Sequence, residues 1–237
     1  MIATRKYSAM SLTLLALKNP QPATRLVATS VILLSITLLA SCGILPKREP
    51  MKMFEPAISQ SPAPADWPQA NWSLLVAKPM AGQWLDSDRI SVRPAPGAVQ
   101  VYKGASWSES VPDMVQTALL RKLEDSGRIL SVSRPGAGVR GEYQLLTEIR
   151  AFESVYGQAG QPQARIEIYA KLVHTADGHA VAARSFVESE AAISEEVPAV
   201  VAAFSRSMER ATTQIAGWTL SSGNANEVGS AGKAARR

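Results

Sequence analysis

Tyr143-Gln144-Leu145-Leu146-Thr147-Glu148-Ile149 alternates: Tyr143, Leu145, Thr147 and Ile149 fall on one face, and Gln144, Leu146 and Glu148 on the other. A period of two sustained over this length marks a strand with one face on a core. The pattern predicts a long strand from Glu142 to about Val155, entered through the turn Pro135-Gly136-Ala137-Gly138. Downstream, 157–162 reads as a loop. Ala164 to His174 reads as the next strand, with Ile166, Ile168, Ala170 and Leu172 on its apolar side. Asp177-Gly178 then lies between two strand patterns, a strong hairpin signal, so Ala180 to Glu190 is expected to fold back antiparallel.

The most regular pattern follows. Val197, Val201, Phe204, Met208, Ala211, Ile215 and Trp218 recur at alternating spacings of four and three, which is one apolar stripe on a helix. Glu195 and Glu196 stand at its start, Pro198 in its first turn, and Arg206 and Arg210 off the stripe. Packing on the sheet accounts for the stripe better than a coiled-coil seam, because no partner heptads occur elsewhere.

Upstream, a shorter helix is bounded by Pro112, Asp113 and Gly127, with Met114, Val115, Ala118, Leu119 and Leu123 on one side. Short strands are expected at 72–76, 89–93, 99–102 and 128–132. The fold class is therefore α/β of the α+β type: a mainly antiparallel twisted sheet packed by two helices in a single domain.

Leu39-Ala40-Ser41-Cys42 closes an uncharged apolar run from Leu26 to Ala40, preceded by Arg5, Lys6, Lys18 and Arg25 with no acidic residue. This is the order of a bacterial lipoprotein signal, cleaved between Ser41 and Cys42. Residues 26–46 are also long enough to span a bilayer, but their hydroxyl residues and the ending Ala-Ser-Cys-Gly favour a processed signal. Cys42 would carry the lipid, a diacylglycerol and an N-acyl chain, and no other cofactor is expected. A 41-residue leader exceeds the usual range of about 15 to 30, which makes Met10 a second candidate start.

Removing the four leader cations from the 25 Lys and Arg leaves 21 against 20 Asp and Glu, so the formal charge of +5 belongs mostly to the leader. A nearly neutral body gives no electrostatic basis for nucleic-acid binding. With Cys42 as the one cysteine, an intramolecular disulfide is excluded and stability must come from an apolar core.

Residues 42–71 contain six prolines and little regular hydrophobic period, and are expected to form a tether. Fully extended, about 28 such residues reach roughly 85 Å. Residues 221–237 are rich in Gly, Ala, Ser and Asn and are expected to be disordered. The expected division is thus 1–41 signal, 42–71 tether, 72–220 domain and 221–237 tail.

Taken together, Leu85-Asp86-Ser87-Asp88-Arg89-Ile90, Tyr102 followed by Trp107-Ser108-Glu109-Ser110-Val111-Pro112, Leu123-Glu124-Asp125-Ser126-Gly127, Glu142-Tyr143-Gln144-Leu145, Phe152-Glu153 and the helix closing on Trp218 resemble the ABC-type transport auxiliary lipoproteins. These include the outer-membrane lipoprotein component of paraquat-inducible, MCE-type lipid transport systems. The resemblance covers roughly residues 86–218. Where family members commonly begin with a Tyr-x-Leu strand near the anchor, this chain has Trp72-Ser73-Leu74 after a longer tether. The resemblance implies a non-enzymatic periplasmic lipoprotein at the inner leaflet of the outer membrane. Its partners would be an MCE-domain protein and an ABC permease and ATPase, and its cargo phospholipid or another hydrophobic molecule. Gly43 is compatible with outer-membrane delivery, since it is not the aspartate that retains many enteric lipoproteins.

The residues themselves offer little chemistry. Gly104-Ala105-Ser106-Trp107-Ser108 lacks the second glycine of a nucleophile elbow. His174, Asp177 and His179 are close in sequence, but turn chemistry explains the aspartate and surface placement the histidines, so no metal site is expected. Tyr102 and Trp107, beside Gly104, stand open between two roles: a pocket lip or partner anchor, or, for Trp107, a cap on the core. Two alternatives to docking also stand. One is a direct lipid carrier with a groove lined by Leu119, Leu123, Phe204 and Met208; the other is a structural lipoprotein of a secretion or envelope-assembly machine. Transported molecule, direction of transport and oligomeric state are not written in this sequence.

Overall fold

The structure, a computed structural model, describes residues 50–57, 62–157 and 160–234. The leader and Cys42 with its cleavage site lie outside the described residues. The strands are β1 (Lys52–Phe54), β2 (Ala70–Val76), β3 (Met80–Ala81), β4 (Arg89–Arg93), β5 (Gln100–Trp107), β6 (Ile129–Ser133), β7 (Tyr143–Tyr156), β8 (Pro162–His174) and β9 (Ala180–Ala191). The helices are α1 (Val111–Asp125) and α2 (Val197–Ala234).

The long strand read from the sequence, β7, organises the sheet. β8 pairs antiparallel along one edge of it, and β9 continues antiparallel on β8. Three short strands share the other edge in succession, all parallel to β7: β2 at Leu74–Val76, β3 at Met80–Ala81 and β4 at Val92–Arg93. β6 extends β2, β5 extends β4, and β1 lies parallel on β5. The sheet is thus mixed. The long hairpin pairings are antiparallel as expected, and the parallel pairings arise because chain crossovers intervene between β7 and the short strands.

One irregularity decides what β7 presents. A bulge between Ile149 and Ala151 shifts the alternation by one residue. Before it, Tyr143, Leu145, Thr147 and Ile149 face the core; after it, Phe152 opposes Ile166 and is buried with it, while Glu153 turns to the opposite face.

Both helices cover one face of the sheet. Ser110 caps α1 by accepting from the Asp113 amide, and Pro112 occupies its first turn. Gly127, at φ +61°, takes the left-handed position after the end of the helix. The stripe of α2 packs on β8 and β9, with Phe204, Ala211 and Ile215 fully buried and Trp218 edge-on to Phe186 at 5.6 Å. Ala203, Ser207 and Ala216 are buried as well, small residues that let the helix lie close to the strands. Arg206 and Arg210, off the stripe, pair with Glu190 and Glu188 of β9 at 2.7 and 2.6 Å. Lys122 and Glu209 join the two helices at 2.6 Å. Among the described residues no helix is long and apolar enough to cross a membrane.

Two expected boundaries are corrected. The domain does not begin at residue 72: β1 is paired to β5, and Trp67 is buried against α2. Proline density concealed a three-residue strand and a docked tryptophan. Nor does it end at 220. α2 runs to Ala234, and its last turns are held by side chains: Asn224 accepts from Trp72 Nε1 at 2.8 Å and donates to the Gln69 carbonyl. Asn226 donates to the Tyr143 hydroxyl at 2.9 Å, and that hydroxyl donates to Glu227 at 2.5 Å. The small polar composition that suggested disorder is what the site needs, because two large rings already fill it.

Candidate functional site

Trp107 ends β5 and turns into the core. It meets Phe204 at 5.2 Å and Phe152 at 5.9 Å, both edge-on, and Phe152 stacks on Phe204 at 4.9 Å. At 1% exposure it is unavailable to a partner, which decides between the two roles left open for it in favour of core packing. Gly104, at φ +69°, permits the bend that swings Ala105 to Trp107 inward. Tyr102 stays half-buried and donates to Ser154 Oγ at 3.1 Å; burial pushes its phenol up to about 12. The structure therefore separates the two aromatics that the sequence placed together.

The carrier groove is also absent among the described residues. Leu119, Leu123, Phe204 and Met208 all pack in the core, and the gap beside Met208 is only about 40 Å³. Small-molecule pockets usually run to about 300 Å³ or more.

Two of the clefts among the described residues lie at junctions of the sheet. One, of about 420 Å³, lies where β1 and β5 meet the start of α2, between Lys52, Phe54, Lys103, Gly104, Glu196 and Pro198. The other, of about 490 Å³, lies on the helix-free face of the sheet beneath Trp84 and Leu85. There Arg93 donates to both carboxylate oxygens of Glu153, at 3.0 and 2.9 Å, and the Glu153 side chain is only 6% exposed. A bidentate guanidinium is the partner such a carboxylate requires. Nearby, the Arg150 guanidinium lies 4.5 Å from the Tyr169 ring centre. Sequence reasoning missed this ion pair. Its signal was a charged residue directly after Phe152, legible only once the bulge is known.

At the β8–β9 turn the structure does bring together what the sequence only placed nearby. His174 and His179 each set Nδ1 2.9 Å from the same Asp177 oxygen. The two imidazoles hold that carboxyl well below the usual range.

The family model for the ABC-type transport auxiliary lipoprotein component matches residues 54–216, from the end of β1 through the first half of α2. The chain belongs to this family. A crystal structure of a protein from Xanthomonas campestris has 42% sequence identity and a TM-score of 0.71, covering 74% of this chain and 98% of that one. A second crystal structure, of an uncharacterized protein, shares the fold at 14% identity and a TM-score of 0.56, over 71% of this chain and 97% of that one. An uncharacterized protein of Bradyrhizobium diazoefficiens is 29% identical over 148 residues, 62% of this chain. The match spans 39% of that relative's length. The match falls on the α+β domain, and the family is that of lipoproteins auxiliary to ABC-type transport.

Proposed function

We propose that the protein is the lipid-anchored periplasmic component of an MCE-like ABC transporter. Its lipid on Cys42 holds it at the inner leaflet of the outer membrane, where it docks the transport assembly for movement of phospholipid or another hydrophobic substrate. The observation that carries this reading is the family match over the folded domain, behind a cysteine that closes a lipoprotein signal. The filled core supports docking over carrying, since Leu119, Leu123 and Phe204 leave no room for an acyl chain. Several acyl chains on one cysteine bind a membrane stably where one binds marginally. Lys52 lies ten positions after Cys42, a reach of about 31 Å when extended, so the domain would work close to its membrane.

The test is crosslinking and affinity purification of the full-length protein from its native envelope, beside Cys42→Ser. The expected result is recovery of an MCE-domain protein or an ABC permease or ATPase, weakened when the anchor is removed. Recovery of secretion or envelope-assembly proteins alone would overturn the transport reading in favour of the structural one.

A further inference from the structure

We propose that the β8–β9 turn is a binding site for a divalent transition-metal ion such as zinc, with His174, Asp177 and His179 as its protein ligands. His174 is the last residue of β8 and His179 immediately precedes β9; the His174 amide donates to the His179 carbonyl at 3.0 Å. The two residues therefore close the hairpin opposite one another, and both imidazoles reach the aspartate between them. One ligand atom from each of the three residues lies within 4.8 Å of the others. With metal–ligand bonds of about 2.0 to 2.1 Å, neighbouring ligand atoms stand about 2.9 Å apart at right angles and about 3.4 Å apart in a tetrahedron. Both histidine-to-aspartate separations, at 2.9 Å, are already at the near end of that range.

The turn is also held in place before any ion arrives. The Gly178 amide donates to the His174 carbonyl at 2.9 Å, and the Thr175 amide and hydroxyl donate to the Glu142 and Gly141 carbonyls just before β7. The His174 ring lies 5.3 Å from buried Tyr143, which restricts its rotation. Ligands ordered in advance lose less freedom on binding. A carboxylate can only accept, so a hydrogen bond to Asp177 calls for the N–H at Nδ1 of each ring, whereas coordination through Nδ1 calls for the tautomer with its N–H at Nε2. Two imidazoles and one carboxylate suit zinc, copper or nickel. Magnesium and calcium take mostly oxygen ligands and are excluded. The remaining coordination positions would be filled by water, since the His179 and Asp177 side chains are 50% and 58% exposed.

The experiment titrates zinc alone into the full-length protein in detergent, purified without a polyhistidine tag and stripped with chelator, against a chromophoric competitor. The expected result is one equivalent bound with affinity on the order of micromolar, insensitive to excess magnesium. His179→Ala and Asp177→Asn should each weaken it about tenfold or more. Both positions are exposed, so circular dichroism and the unfolding midpoint should stay close to wild type. Absence of saturable binding, or equal affinity in wild type and both variants, would overturn the proposal and leave Asp177 as the acceptor of two turn hydrogen bonds.

Discussion

Tyr102 shows how one half-buried phenol shapes the stability of the domain. Burial raises its phenol to about 12, and Tyr143, bonded to Glu227 and Asn226, is likewise raised to about 12. An unfolded tyrosine gives up its proton near pH 10, so between about pH 10 and 12 the folded state binds more protons than the unfolded one. The stability each tyrosine contributes is complete below pH 10 and falls as pH rises through that window. Urea unfolding at pH 8 and pH 11 should show a loss of up to about 1 kcal/mol per tyrosine, and Tyr102→Phe should remove its share of the difference. An unchanged pH dependence in that variant would contradict the burial assigned to Tyr102. At this scale the sequence was legible where periodicity fixes a face, as for Tyr143 and Phe204. For Trp107 it named the core among two roles without deciding between them, because Gly104 at φ +69° bends the strand just before it and local spacing cannot say which way the chain then turns. The convergence of His174 and His179 on Asp177 was hidden for a similar reason: adjacency in sequence does not give the direction of a side chain in a turn.

The last helix makes the case for elements. Its first six turns were readable from the stripe ending at Trp218, because large apolar residues recur with the helical period. Its remaining turns were not, because they bind the sheet through small and amide side chains. A Cβ on Gly223 would stand 2.3 Å from Trp72 Cζ2, and one on Gly217 2.6 Å from Trp67 Nε1, whereas one on Gly229 meets nothing within 4 Å. Gly223→Ala should therefore destabilise by about 1 to 3 kcal/mol through overpacking. Gly229→Ala should be neutral or stabilise by up to about 1 kcal/mol through helix propensity alone. Denaturant unfolding of the two variants separates these outcomes; equal effects would show that the C-terminal turns do not rest on Trp72. β7 offers the converse lesson. Its existence and its first half were plain from alternation, but the bulge at Arg150 reverses the faces of Phe152 and Glu153 without any glycine or proline to announce it.

For the whole molecule, hairpins were legible and crossovers were not. Asp177-Gly178 specifies the β8–β9 pairing locally, whereas nothing local specifies that β2, β3 and β4 share one edge of β7 in parallel. Both helices pack on a single face, which leaves the opposite face to Trp84 and the Arg93–Glu153 pair. Function at this scale turns on one residue. Under the proposed function, processing at Cys42 would remove four cations, bring the body close to neutral and hold the domain within about 31 Å of a membrane. The most direct test is mass spectrometry of the N-terminal peptide of protein isolated from its native envelope. A peptide beginning at Cys42 and carrying diacylglycerol and an N-acyl chain, with residues 1–41 gone, is the expected result. A retained leader, or an unmodified Cys42 thiol, would contradict the account.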